Sequence, residues 1–294
     1  MRVIIDTNAL RTEELSQWLS ASANHRAVIT DYAWMEIYKG NEKIAIVESL
    51  NVLRNFPDQV LLLKGTKAVS AIDSQSPGYA NAMILSKSKA KFDDTIKGLS
   101  FVERSSPVTV KSIQQHGKVA KEHFAKMEGV AEDLSSYLSA VDAVLGRGAI
   151  SEIRGKKPLS PDFTQNFLLA VDYMYDGFIK RHPKKPRRMH GAHRVNHFAW
   201  RYALAANLLT KRYVQNGSNL PSNESKIVNE ITDATFAVYG TYFNGVMSSD
   251  AKLNQLYIEL ELILRRLGAR VPTHYIEHPD TIALFGLQTD ESAA

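Results

Sequence analysis

Residues 2–5, Arg-Val-Ile-Ile, form a short β-branched run that ends at an aspartate, Asp6. A run this short and this apolar reads as a parallel strand buried on both faces. A helical segment follows, with Thr12 at its N-cap position. Residues 26–30, Arg-Ala-Val-Ile-Thr, read as a second strand. Asp31 is then expected to cap a helix that runs to about Lys39, and another helix starts at Asn41. Residues 59–63, Gln-Val-Leu-Leu-Leu, read as a third strand. Parallel neighbours cannot be joined by tight turns. Strands alternating with helices therefore predict an α/β fold built on a parallel sheet with crossover helices.

The alternation stops near Gly65. From there to about Pro221 the sequence carries helical patterns and loops, among them Lys111–Leu145, Phe163–Arg181 and Val195–Val214, punctuated by proline and glycine. The rhythm then returns. A helix is expected over Ser225–Tyr239, a short strand over Gly245–Ser248, and an amphipathic helix over Ala251–Leu267 with Gly268 as its C-cap. A closing strand is expected over Arg270–Ile276, placed at a sheet edge by Pro272. The 294 residues thus divide into an α/β core, residues 1–64 and 225–294, and a long all-helical insertion over residues 65–224.

Composition removes several chemistries. The chain has no cysteine, which excludes disulfides, thiolate-bound zinc, iron–sulfur clusters and a cysteine nucleophile. No stretch approaches the ~20 uninterrupted apolar residues of a membrane helix. The opening Met-Arg-Val-Ile-Ile-Asp turns acidic at once and does not read as a signal peptide. A cytoplasmic protein without a membrane partner is the expectation. The glycine-rich loops of P-loop nucleotide hydrolases and dinucleotide-binding folds are missing, as is the nucleophile elbow of serine hydrolases.

Four carboxylates carry the functional reading. In open parallel sheets, sites form beyond the carboxyl ends of strands, where strand order reverses. Asp6 ends the first strand, Asp250 follows the fourth, Glu36 lies on the helix after the second, and Asp233 lies on the helix before the fourth. If the first and fourth strands are neighbours, these groups converge. Crowded carboxylates repel and raise one another's pKa. A hard divalent cation, Mg²⁺ or Mn²⁺, relieves that repulsion and suits phosphodiester hydrolysis. Each acid also has an ordinary reading: Asp6 a turn residue, Glu36 a solvated helix face, Asp233 a first-turn acid on its helix dipole, Asp250 an N-cap.

The order and context of the four resemble the PIN-domain ribonucleases. Val-Ile-Ile-Asp6-Thr7-Asn8 resembles their opening motif, and Ile29-Thr30-Asp31-Tyr32-Ala33-Trp34-Met35-Glu36 the second. Ile231-Thr232-Asp233-Ala234 resembles the third, and Gly245-Val246-Met247-Ser248-Ser249-Asp250 the fourth. The resemblance spans residues 1–64 and 225–276. It implies a five-stranded parallel sheet flanked by helices, with Asp6, Glu36, Asp233 and Asp250 as ligands of Mg²⁺ or Mn²⁺. It further implies Thr7 and Asn8 shaping the ligand loop, Ser249 hydrogen-bonding near Asp250, and cleavage of RNA, single-stranded or tRNA. Many small members are toxins. The large insertion sets this chain apart from them, and fold analogy extends to a defence or stress effector.

The insertion holds the second signal. Residues 180–212 carry ten Lys and Arg and no Asp or Glu, whereas the whole chain is only +5. The remainder is therefore net negative by five. Lys184, Lys185, Arg187, Arg188, Arg194 and Arg201 are the expected substrate-binding residues, with Arg201 a phosphate clamp. Phe198, Trp200 and Tyr202 are either stacking platforms for bases or core residues of their helix. His190, His193 and His197 have helical spacing, but among like charges they are poor zinc ligands. The expectation is a metal-dependent endoribonuclease. Its rivals are a flap-type DNA nuclease and an inactive nucleic-acid- or partner-binding module. Self-association through the 111–145 helices and a restraining regulatory partner are further expectations.

Overall fold

The computed structural model describes residues 1–40, 42–103, 111, 114–125, 127, 148, 150–155, 160–217 and 224–285. The chain is a mixed α/β protein in which a small parallel sheet is surrounded by many helices. Strand β1 (Arg2–Ile5) is followed by α1 (Glu13–Ala21), β2 (Arg26–Ile29), α2 (Asp31–Lys39), α3 (Lys43–Leu50) and β3 (Val60–Leu62). Then come α4 (Thr66–Val69), α5 (Tyr79–Met83), α6 (Ser88–Glu103), α7 (Pro161–Arg181), α8 (Gly191–Arg194), α9 (Phe198–Gln215) and α10 (Glu224–Gly240). The chain returns to the sheet with β4 (Val246–Met247) and continues through α11 (Ala251–Arg266) and α12 (Pro279–Phe285).

The strand order is β3-β2-β1-β4, and every pairing is parallel. β1 therefore has β2 on one side and β4 on the other. Ile4 pairs with Val28 and Val246, so the β-branched run is the middle of the sheet. That position explains its uniform apolarity, since Val3, Ile4 and Ile5 are all fully buried.

Among the described residues the sheet has four strands; a fifth over Arg270–Ile276 is not among them. Side chains and one loop carbonyl take up this segment's backbone groups. Asn196 Oδ1 accepts from Arg270 N, Arg201 donates to Arg270 O, Asn244 Nδ2 donates to Thr273 O, and Asn244 O accepts from Tyr275 N. Pro272 has no N–H to give a ladder. The segment ends in a 3₁₀ turn over Tyr275–Glu277.

Helix ends follow local chemistry. Thr12 caps α1 by accepting from Leu15 N. α2 is capped by Thr30, which accepts from Ala33 N, and Asp31 is its first helical residue. The carboxylate expected to cap α2 instead reaches across the sheet edge, accepting from Thr66 N at 2.7 Å and Thr66 Oγ1 at 2.8 Å. Ser160 caps α7, with Pro161 at its first position, where a missing N–H costs nothing. The turn from α10 into β4 depends on Gly245 at φ +98°, where a Cβ would meet the His274 ring at 2.3 Å.

One continuous core joins the sheet helices to helices of the 65–224 segment. α9 packs against α7, α10 and α11, α10 packs against β1 and β4, and α6 packs against β3. Leu253, Leu256, Leu260 and Leu264 give α11 its buried stripe. Each such side chain contributes roughly 1.5–3 kcal/mol when fully buried. Of the 111–145 helical expectation, residues 112, 113, 126 and 128–145 lie outside the described residues, as does the tail from 286. No described helix is long and apolar enough to cross a membrane.

Candidate active site

The carboxyl ends of the strands share one edge. β1 runs into Asp6, and its neighbour β4 runs into Ser248-Ser249-Asp250. The chain winds β1 to β2 to β3 in one direction, then crosses back to place β4 on the far side of β1. A parallel sheet opens a crevice where its winding reverses, because the connections leave in opposite directions. The adjacency of the first and fourth strands, on which convergence of the four acids depended, is thus present.

Asp6 is 5 % exposed. Its Oδ1 accepts from Thr7 N at 2.7 Å and its Oδ2 from Ser248 Oγ at 2.6 Å. Burial raises its pKa, the hydrogen bonds from Ser248 and Thr7 oppose the rise, and Asp250 adds to it. Ser248 ties the two loops together. Besides donating to Asp6, its hydroxyl accepts from Asp250 N at 3.0 Å and from Asn8 Nδ2 at 3.2 Å. Asn8 Oδ1 accepts from Ser249 N at 3.0 Å. The serine expected beside Asp250 was Ser249, but its side chain is exposed and only its N–H joins the network. A two-serine sequence does not tell which hydroxyl faces inward; the end of the β4 pairing decides that.

Glu36 lies on the face of α2 that meets the β1 loop. Thr7 Oγ1 donates to Glu36 Oε2 at 2.9 Å. Burial, with Asp6 nearby, pushes Glu36 up to about 7 against the opposing Thr7 bond and Lys39. Asp233 lies mid-helix in α10, so it is not the first-turn acid of the helix-dipole reading. Its carboxylate accepts no hydrogen bond among the described residues. Burial, then Asp6, Asp250, Glu36 and Glu230, all push it up, to about 7. Asp233 therefore feels the other three acids, while Asp250 also acts on Asp6, and Asp6 on Glu36. Asp250 caps α11, its Oδ1 accepting from Lys252 N at 2.7 Å and Leu253 N at 3.1 Å. Its Oδ2 is left without a bond among the described residues. No group of three or more His, Asp or Glu among the described residues stands close enough to hold a metal ion as it is.

The six expected substrate-binding cations divide. Lys184, Lys185 and Arg187 are exposed, and their side chains make no ion pair among the described residues. Arg188 forms a two-pronged pair with Asp176 at 2.5 and 2.8 Å, and Arg194 pairs with Asp172. The acids on α7 thus offset these two charges. Arg201 is not a phosphate clamp. It is fully buried, and all five N–H groups are taken by Val195 O, Thr241 O, Thr241 Oγ1, Asn196 Oδ1 and Arg270 O. It also lies 4.0 Å from the Tyr242 ring centre. Its charge fastens α9 to the loops on either side of the β4–α11 unit. Phe198 and Trp200 are core residues, with Trp200 Nε1 donating to Asp172, and Tyr202 is half-buried. Comparisons with protein-family models, curated proteins and solved structures give no match to this chain.

Proposed function

We propose that this chain is a metal-dependent, PIN-like endoribonuclease, with Asp6, Glu36, Asp233 and Asp250 as its carboxylates. The observation that carries the reading is the parallel pairing of β1 with β4, which brings Asp6 and Asp250 to one crevice and laces them through Ser248. The donor set suits Mg²⁺ or Mn²⁺: hard oxygens only, with the pKa of two carboxyls, Glu36 and Asp233, pushed up to about 7 by burial and by neighbouring acids. When bound, such an ion supplies Lewis-acid charge at a phosphoryl group and acidifies water. The chain's own part is positional. Thr7 holds Glu36, Ser248 holds Asp6, and the N-terminus of α11 fixes one oxygen of Asp250, leaving the other without a bond among the described residues. Lys184, Lys185 and Arg187, exposed and without an ion pair among the described residues, are charges suited to the RNA backbone.

The test is cleavage of single-stranded RNA, tRNA and flap DNA by the purified chain with Mg²⁺ or Mn²⁺. Activity on RNA, abolished by EDTA and by Asp6→Asn or Asp250→Asn, is the expected result. Cleavage that survives EDTA or both substitutions defeats the reading, and preference for flap DNA moves it to the DNA-nuclease rival. A second reading is a nucleic-acid-binding module without catalysis. Calorimetric titration with Mn²⁺ separates the two, since a dead site gives no binding that depends on Asp6 and Asp250.

A further inference from the structure

A cavity of about 450 Å³ opens at the β3–β2 end of the same sheet edge, bordered by Asp31 and Thr66, the first helical residues after those strands. Its size falls within the roughly 300–1,000 Å³ of small-molecule sites. Two kinds of group in its lining narrow the ligand. Aromatic rings come from α2, α7 and α9: Tyr32, Phe178 and Tyr202, with Phe178 and Tyr202 5.6 Å apart and tilted. Cations come from Lys67 and Arg181, both exposed. His123 also borders the cavity, with its Nε2 buried away from the open space. Asp31 and Thr66 are already fixed to each other and present oriented oxygens.

Each kind of group narrows the ligand. Aromatic walls favour a flat ring, worth about 1–3 kcal/mol per stacked base in single-strand binders. Two exposed cations call for an anion. A fatty ligand leaves the cations unanswered, and inorganic phosphate leaves the aromatic walls unfilled. A nucleotide answers both. His182 and Pro183 also line the cavity, and the free cations Lys184, Lys185 and Arg187 follow directly, so an anionic chain leaving the cavity meets positive charge.

We infer that this cavity is a nucleotide subsite, taking one unstacked base among Tyr32, Phe178 and Tyr202 with its phosphate on Lys67 and Arg181. The nucleotide is free or is one unit of single-stranded RNA. The second source rests on the nuclease reading above, since the β3–β2 and β1–β4 crevices lie two strand spacings apart, about 10 Å, along the path of one strand.

The test uses the full chain in EDTA, as wild type and as Asp6→Asn/Asp250→Asn, titrated with adenosine and uridine monophosphates, inorganic phosphate and a short single-stranded RNA. Lys67→Ala/Arg181→Ala removes the cations at exposed positions. Ala199→Leu narrows the cavity, with a melting curve to confirm folding. Binding of the monophosphates, weakened at least tenfold by either change, supports a site open to free nucleotides. Binding of the RNA alone, weakened likewise, supports a subsite for one unit of the strand. The inference is overturned if the wild type binds neither, if both changes leave affinity within twofold, or if inorganic phosphate binds as tightly as the monophosphates. A chain that binds nucleotides here but cleaves nothing keeps the subsite and loses the nuclease. One that cleaves RNA with both changes silent loses the subsite and keeps the nuclease.

Discussion

At the scale of single residues, Ser248 is the hinge of the candidate site. Its hydroxyl donates to the buried Asp6 and accepts from Asp250 N, so it holds one carboxylate and orients the loop bearing another. Ser248→Ala leaves Asp6 Oδ2 without a donor in a site where burial already raises its pKa. Thermal or urea melts are expected to show a loss of about 1–2 kcal/mol. Mn²⁺ affinity measured by calorimetry is expected to fall about tenfold, the lower end for a group that orients metal ligands. Ser249→Ala, one residue along and exposed, should leave both readings unchanged. Equal effects at the two serines would remove Ser248 from its role. This pair also marks a limit of sequence reading. The motif locates the serines, and only the register of β4 beside β1 selects one. Arg201 marks the same limit, since a basic cluster shows net charge and gives no sign of which guanidinium is enclosed by five acceptors.

At the scale of elements, legibility followed how local the determinants are. β1, β2, β3 and the helices α1, α7 and α11 were readable because β-branched runs, caps and apolar stripes act within a few residues. The Arg270–Ile276 segment was not, because its fate depends on Asn196, Arg201 and Asn244, remote in sequence. α2 offered two adjacent capping residues, and Thr30 took the role while Asp31 turned to Thr66. Asp250 combines a cap and a candidate ligand, and two substitutions separate them. Asn caps as well as Asp, so Asp250→Asn is expected to melt close to wild type near pH 5, where the neighbouring acids hold protons, while losing Mn²⁺ binding at pH 8. Asp250→Ala loses the metal and also about 1 kcal/mol of helix stability. If Asp250→Asn still binds Mn²⁺ at wild-type strength, Asp250 serves α11 alone.

At the scale of the whole molecule, charge is segregated: a basic 180–212 segment faces a remainder that is net negative. Only part of that segment is free, so its salt dependence is specific. Replacing Lys184, Lys185 and Arg187 together with Ala is expected to reduce the slope of log affinity for single-stranded RNA against log salt by about 2. Replacing Arg188 and Arg194, held by Asp176 and Asp172, should change it little. The acid cluster makes the opposite demand on the fold. Glu36 and Asp233 are pushed to about 7, well above the ~4 of an unfolded carboxyl. Between about pH 4 and 7 the folded state therefore holds more protons than the unfolded one, and the contribution of these groups to stability falls as pH rises. His197 and His274, lowered to about 4 by burial, act in the opposite direction over part of that range, so a bare melting profile mixes the two. Asp233→Asn isolates the carboxylate, because this side chain has no hydrogen bond to lose among the described residues. In EDTA, its melting temperature should match wild type near pH 5 and exceed it at pH 8 by roughly 2–4 °C for each kcal/mol of repulsion relieved. Mn²⁺ should reverse the order at pH 8 by stabilising wild type, where the ionised acids bind it, and should do little at pH 5, where protons compete. A wild type indifferent to Mn²⁺ at pH 8, or an Asp233→Asn variant no more stable there in EDTA, means that the four carboxylates do not act as one charged site.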